Sequence, residues 1–254
     1  FFKQTTAYAM LRSLVGSEMC IRDRFHIAAE ARIQPAVENP LNAVRINALG
    51  TATVLQCARE ANVKKVMYSS TSSAYGLVNE SPNVETQPDD CLNPYSVSKV
   101  AGENICKMYT ELFDLPTIIF RYFNVYGERQ PVRGQYAPVI GIFLRQLAAG
   151  ESLTIVGDGE QRRDFVHVSD VCNANIMAAI SNPEEDAYGQ IYNIGCGVNY
   201  SINQIANMIS DNQVSLPERP GESRVTKANT EKVRKTFGWK PQIDLQDWII
   251  ANVF

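Results

Sequence analysis

The chain has 254 residues, of which 45% are apolar and 20% charged, and a formal net charge of −3. These values suit a soluble globular protein with one large domain, or a domain and a smaller lobe, and exclude electrostatic capture of a polyanion such as nucleic acid. The longest apolar run, Ala137 to Leu144, is far short of the roughly 20 residues that span a bilayer, so no membrane partner is expected. Six cysteines without a C-x-x-C pair, and only two histidines, point to reduced thiols in a cytoplasmic protein rather than a metal site or disulfide framework.

In chain order, residues 1–24 show no clean period and lack the apolar core of about 7–15 residues that a secretory signal needs. The tract Leu14 to Arg24 resembles translated sequencing-adapter read-through, so this segment is set aside and natural sequence is expected to be missing before Phe25. Phe25 to Ala29 reads as a short buried strand end, and Pro40 to Ala61 as a helix with Val44, Leu49, Val54, Leu55 and Ala58 at three- to four-residue spacing. Lys65 to Tyr68 is the next strand. Asn93 and Pro94 supply an N-cap and a first-turn proline for a helix through about Phe113, and Thr117 to Phe120 is a strand. Strands alternating with helices predict a Rossmann-like, doubly wound α/β sheet over residues 25–130, with ligands beyond the C-terminal strand ends. Residues 131–254 predict mainly a smaller α/β lobe with some segments returning to the sheet. It holds helices over about 136–149 and 168–180, a Gly157-Asp158-Gly159 turn, extended Arg163 to Val168, a strand at Ile191 to Ile194, a helix capped by Ser201, a proline-broken tract at Leu216 to Gly221 and a final helix near Phe254.

The helix from Asn93 carries Tyr95-Ser-Val-Ser-Lys99, which sets a phenol and an ammonium on one helix face. A neighbouring cation favours phenolate, so such a phenol can take a proton from a sugar hydroxyl near neutral pH. The pair keeps specific company. Ser69-Ser-Thr-Ser-Ser-Ala-Tyr-Gly76 follows a strand, and Arg121-Tyr-Phe-Asn-Val-Tyr-Gly127 follows the next. Arg163-Asp-Phe-Val-His-Val-x-Asp170 and Arg219-Pro-Gly-Glu222 come after these.

From His26 onward this ordered set resembles the extended short-chain dehydrogenase/reductase family, in its NAD-dependent epimerase/dehydratase branch, with the greatest likeness to UDP-hexose 4-epimerases. The resemblance implies NAD as cofactor, a UDP-sugar as substrate and a homodimer built from the helices at about 40–61 and 94–113, with Val97, Val100, Ile105 and Met108 as surplus apolar positions. It implies that Tyr95 is the general acid/base, that Lys99 holds the nicotinamide ribose and lowers the Tyr95 pKa, and that Thr71 bonds the reacting sugar oxygen. His26, Asn47, Ser69, Ser70 and Tyr122 fall at cofactor-side positions. Ser73, Asn124, Arg163, Arg219 and Glu222 fall on the sugar-nucleotide side, although an ion pair between Arg163 and Asp164 is a competing reading of that arginine. No metal is implied.

Two departures matter. The family's opening Gly-x-x-Gly-x-x-Gly is not found, so the first βαβ unit is expected to be missing. An uncovered flank at Lys65 to Tyr68 and an epimerase-inactive chain are expected with it. Where same-branch dehydratases place Asp-Glu after the threonine, this chain has Ser72-Ser73, which favours an epimerase over a dehydratase and, less sharply, over a decarboxylase. A non-catalytic remnant is the reading from another class.

Overall fold

Side chains along the central strands alternate between two packed layers, and that alternation builds the sheet. The computed structural model describes residues 23–134, 137–218 and 224–253. Four parallel strands run in the order β1 (Asp23–His26), β2 (Lys65–Thr71), β3 (Thr117–Tyr122) and β7 (Gln190–Ile194). Val66, Tyr68 and Ile119 point into one layer with Leu55, Ala58, Cys106 and Tyr109. Met67, Ile118 and Phe120 point into the other, with Val171, Ala174, Phe237 and Trp239. Helices therefore cover both faces, as a parallel sheet requires.

The first layer comes from α1 (Ile33–Glu38), α2 (Pro40–Val44), a π-helical turn (Arg45–Leu49), α3 (Gly50–Glu60) and the long α4 (Pro94–Phe113). The π-helical turn interrupts the expected single helix. Its extra residue rotates the face, so Leu55 and Ala58 are buried while Val44 and Leu49 are exposed. The second layer comes from α6 (Val168–Ile180) and α8 (Glu231–Phe237).

Two strand expectations need correction. β1 begins at Asp23, within the segment set aside, and Phe25 and, just past the strand, Ile27 are exposed rather than buried, because β1 is one of the two edge strands of this sheet among the described residues. The strand at Lys65 has no open flank, since β1 pairs it on one side and β3 on the other, and all seven of its residues are buried.

The lobe has its own core. Ile140 and Phe143 of α5 (Val139–Ala148) meet Leu153 and Ile155 of β5 (Leu153–Val156). They also meet Ile202, Ile205 and Ile209 at α7 (Ile202–Ile209) and Trp248 of α9 (Leu245–Val253). β5 pairs with β9 (Gln213–Leu216), while β6 (Arg162–His167) joins β4 (Asn124–Tyr126) to β8 (Asn199–Ser201) and so links lobe and sheet.

Candidate active site

The start of α4 is fixed by local chemistry. Asn93 accepts from the Ser96 backbone N–H, Ser96 accepts from that of Asn93, and Pro94 occupies the first turn. Tyr68 of β2 donates from its hydroxyl to the Lys99 carbonyl at 3.1 Å. Gly102 permits this approach, because a Cβ there would lie 2.2 Å from the Tyr68 hydroxyl. The helix is thereby seated with Tyr95 at the C-terminal end of β2.

There the chain encloses a cavity of about 680 Å³ whose wall includes Thr71, Ser73, Tyr95, Tyr122, Asn124 and Arg163. The Tyr95 phenol shares a hydrogen bond with the Thr71 side chain, and Thr71 Oγ1 also accepts from the Ser73 N–H at 3.1 Å. Six sequence-selected residues, scattered over more than ninety positions, thus line one cavity.

Burial pushes the Tyr95 phenol up, against pulls from the Thr71 bond and the charge of Arg32. The lowering expected from Lys99 is therefore not a property of the protein residues alone. The Lys99 ammonium instead sits 4.3 Å above the Tyr68 ring, and burial lowers it to about 8. Arg32 also lines the cavity, and no sequence motif marks it.

Of the residues expected on the cofactor side, Ser70 and Tyr122 line the cavity, while His26, Asn47, Ser69 and Lys99 are not part of its lining. His26 Nε2 bonds Thr51 Oγ1 at 2.9 Å, and burial, aided by Lys99, lowers the imidazole to about 4. Asn47, inside the π-helical turn, accepts from the Glu30 N–H at 2.8 Å and donates to Glu30 O at 3.0 Å and Ser98 Oγ at 2.9 Å. It thus clamps the segment after β1 to the residue preceding Lys99. Ser69 donates to the Tyr122 hydroxyl at 3.2 Å, which also receives Asn175 Nδ2 at 2.8 Å. The Ser70 hydroxyl is turned to the Glu103 carboxylate.

Elsewhere in the cavity lining, Asn124 donates to the Asp164 carbonyl at 2.9 Å, and Arg163 donates to the carbonyls of Arg162 and Arg224 at 3.1 and 3.3 Å. The competing ion pair with Asp164 does not form. That carboxylate is fully buried and accepts from the N–H groups of Cys196, Gly197 and Ala228 at 2.7, 2.8 and 2.9 Å. Burial outweighs these bonds and raises it to about 6. Arg219 and Glu222 lie outside the described residues.

The donor set fits the nicotinamide half of a dinucleotide, since a phenol and a threonine hydroxyl line the cavity at the sheet's C-terminal edge and a buried ammonium one turn on in the same helix stands over Tyr68 behind it. The glycine-rich pyrophosphate loop is not among the described residues.

Residues 12–195 match the NAD dependent epimerase/dehydratase family. The chain is 35% identical over 236 residues to a UDP-glucose 4-epimerase of Mycolicibacterium smegmatis, covering 90% of this chain and 74% of that protein. Its fold superposes with a TM-score of 0.85 and 31% identity on a UDP-glucose 4-epimerase of Thermotoga maritima solved with UDP-glucose, over 91% of this chain and 75% of that one. A dTDP-glucose 4,6-dehydratase of Streptomyces venezuelae, solved with NAD bound, is also similar, with a TM-score of 0.83 and 26% identity over 97% of this chain and 75% of its own.

Proposed function

Because this chain belongs to the NAD dependent epimerase/dehydratase family, we propose that it inverts C4 of a UDP-hexose through a 4-keto sugar. The observation that carries the reading is the Tyr95–Thr71 hydrogen bond in the lining of a cavity that also presents Asn124 and Arg163. Thr71 holds the C4 oxygen and Tyr95 takes its proton as general base. NAD, when bound, supplies the hydride acceptor and donor for C4 and a positive charge beside Tyr95. The keto sugar turns over, and Tyr95 returns the proton to the oxygen on the new face. Lys99, with His26 near it, orients the nicotinamide ribose, and Ser69, Tyr122 and Asn47 complete the cofactor side. Arg163 and Arg219 hold the diphosphate, suited by their forked donors, and Glu222 holds the uridine ribose.

The similarity to a dehydratase raises elimination as the second reading. Ser72 and Ser73 follow Thr71 into a 3-10 turn at the cavity wall. Their hydroxyls provide no carboxylic acid and carboxylate for removing water, which favours epimerisation.

Dimerisation through α2, α3 and α4 belongs to the same proposal. Of the four surplus positions on α4 only Val97 faces outward, because Val100 is buried and Ile105 and Met108 pack on the sheet layer. Leu41, 84% exposed, together with Val44 and Leu49, supplies the rest of the apolar surface. The five described cysteines are free thiols, which suits the reducing cytoplasm.

The test supplies NAD and a panel of UDP-hexoses to the chain, and to the same chain preceded by a strand, glycine-loop and helix unit from a relative. Interconversion of UDP-glucose and UDP-galactose by either form supports the reading. Nucleotide-sugar binding without any epimer from either form overturns it.

A further inference from the structure

Glu103 lies one helical turn after Lys99 and is 1% exposed. Three bonds converge on its carboxylate. Ser70 donates its hydroxyl to Oε1, while Arg121 donates Nε to Oε1 at 2.9 Å and Nη2 to Oε2 at 2.6 Å. Arg121 is equally buried, contacts Asp89 at 2.5 Å and lies 4.8 Å over the Tyr75 ring. The carboxylate thus bridges β3, α4 and the residue of β2 that precedes Thr71. Two carboxyl groups, Glu103 and Asp89, thus share one guanidinium beside the helix of Tyr95 and Lys99.

Several titratable groups face Lys99: His26 from β1, Tyr68 from β2, and Glu103 and Cys106 from its own helix. Most of them are neutral at pH 7. His26 is lowered to about 4, and burial pushes the Tyr68 phenol and the Cys106 thiol up, away from their ionised forms. Tyr95, one turn back on α4, is raised as well. The charges that oppose the lowering of Lys99 by burial come from Cys106 and Glu103 on the same helix, and of these only Glu103 is bonded to a buried guanidinium. A buried ammonium needs such a partner to keep its proton.

We propose that Glu103 is the positioning residue of this site: its carboxylate fixes the Ser70–Thr71 strand end against the helix of Tyr95 and Lys99, and is the anion that keeps Lys99 an ammonium. The proposal rests on the reading of Tyr95 and Lys99 as the working pair, but its test does not depend on turnover.

The test is a pH titration of the 254-residue chain labelled with [13Cε]lysine, with the Lys99 resonance identified by its loss in Lys99→Arg. Glu103→Gln, which keeps shape and removes charge, should move the Lys99 midpoint down by about one pH unit. Glu103→Asp, which keeps the charge, should recover most of that shift. A purely structural Glu103 would lower the melting temperature in both variants and leave the midpoint in place, which overturns the proposal. Should Glu103→Gln not fold, the unmodified chain decides, because a Lys99 midpoint below pH 7 also overturns it. A shifted midpoint in a protein that epimerises no sugar supports this proposal and counts against the epimerase reading. An unmoved midpoint in an active enzyme does the reverse.

Discussion

Lys65 opens β2 with its ammonium buried beneath the end of α6, where it donates to the carbonyls of Ala178, Ala179 and Ser181 at 2.8, 3.2 and 2.7 Å. The last carbonyls of a helix have no partner within the helix, and a cation there both bonds them and opposes the helix dipole. Lys65→Met keeps the chain length and removes all three donors. The Ala178 carbonyl retains the Ser181 hydroxyl at 3.1 Å, so the loss falls on Ala179 and Ser181. A buried acceptor left without its partner costs about 1–3 kcal/mol. Part of this returns, since burial already disfavours the ammonium and methionine has no charge to desolvate. Both carbonyls are half-buried, so water replaces part of each lost bond, and the net is about 2 kcal/mol of destabilisation, or a fall in melting temperature of about 4–8 °C for a domain of this size. Thermal unfolding followed by far-ultraviolet circular dichroism reads this directly. A melting temperature within about 1 °C of the parent would show that the lysine does not cap α6 and would refute the reasoning.

Tyr95→Phe removes the proton carrier without changing the cavity wall, so turnover of UDP-glucose in the NAD-supplied enzyme should fall by roughly 10²–10⁴, read by coupled assay. UDP affinity, read by calorimetry, should stay near the parent's, and turnover within about threefold of the parent would remove Tyr95 from its role. His26 is held at about 4 in the fold against 6.5 in the open chain, so the unfolded state takes the proton first as pH falls. The stability from this group is complete above about 6.5 and lost towards 4, up to about 3 kcal/mol. His26→Gln should flatten the urea-midpoint profile over that window, and an unchanged slope contradicts the assignment. Leu41→Glu with Val97→Glu places charge on the exposed apolar surface and should shift the mass measured by light scattering from dimer to monomer. A parent chain that is already monomeric at micromolar concentration would count against that interface.

Features specified within a few residues were legible in the sequence. The helix from Pro94 begins where Asn93 and Pro94 say it should, because a cap depends on side chains one turn away. The ordered motifs bring Thr71, Tyr95 and Tyr122 together because Thr71 and Tyr122 end the paired parallel strands β2 and β3, which deliver their C-terminal ends to one edge, while Asn124 opens β4 and Arg163 lies near the start of β6, which pairs with it. Features decided at long range were not legible. The π-helical turn at Arg45–Leu49 holds Asn47 in bonds to Glu30 and to Ser98, 51 residues onward, and no local period announces such partners. Lys65 and Glu103 look like ordinary surface charges until α6 and β3 close over them. Asp164 looked free to pair with Arg163, yet it is consumed by backbone donors from two later segments.

The central claim concerns what happens at C4 of the sugar. UDP-glucose deuterated at C4, incubated in ordinary water with the NAD-supplied enzyme, should yield UDP-galactose that retains deuterium at C4, because the hydride leaves and returns within one closed cavity. Nuclear magnetic resonance of the product reads both the configuration and the label. Loss of the deuterium to solvent, or accumulation of a 6-deoxy-4-keto sugar in place of the epimer, would contradict the account.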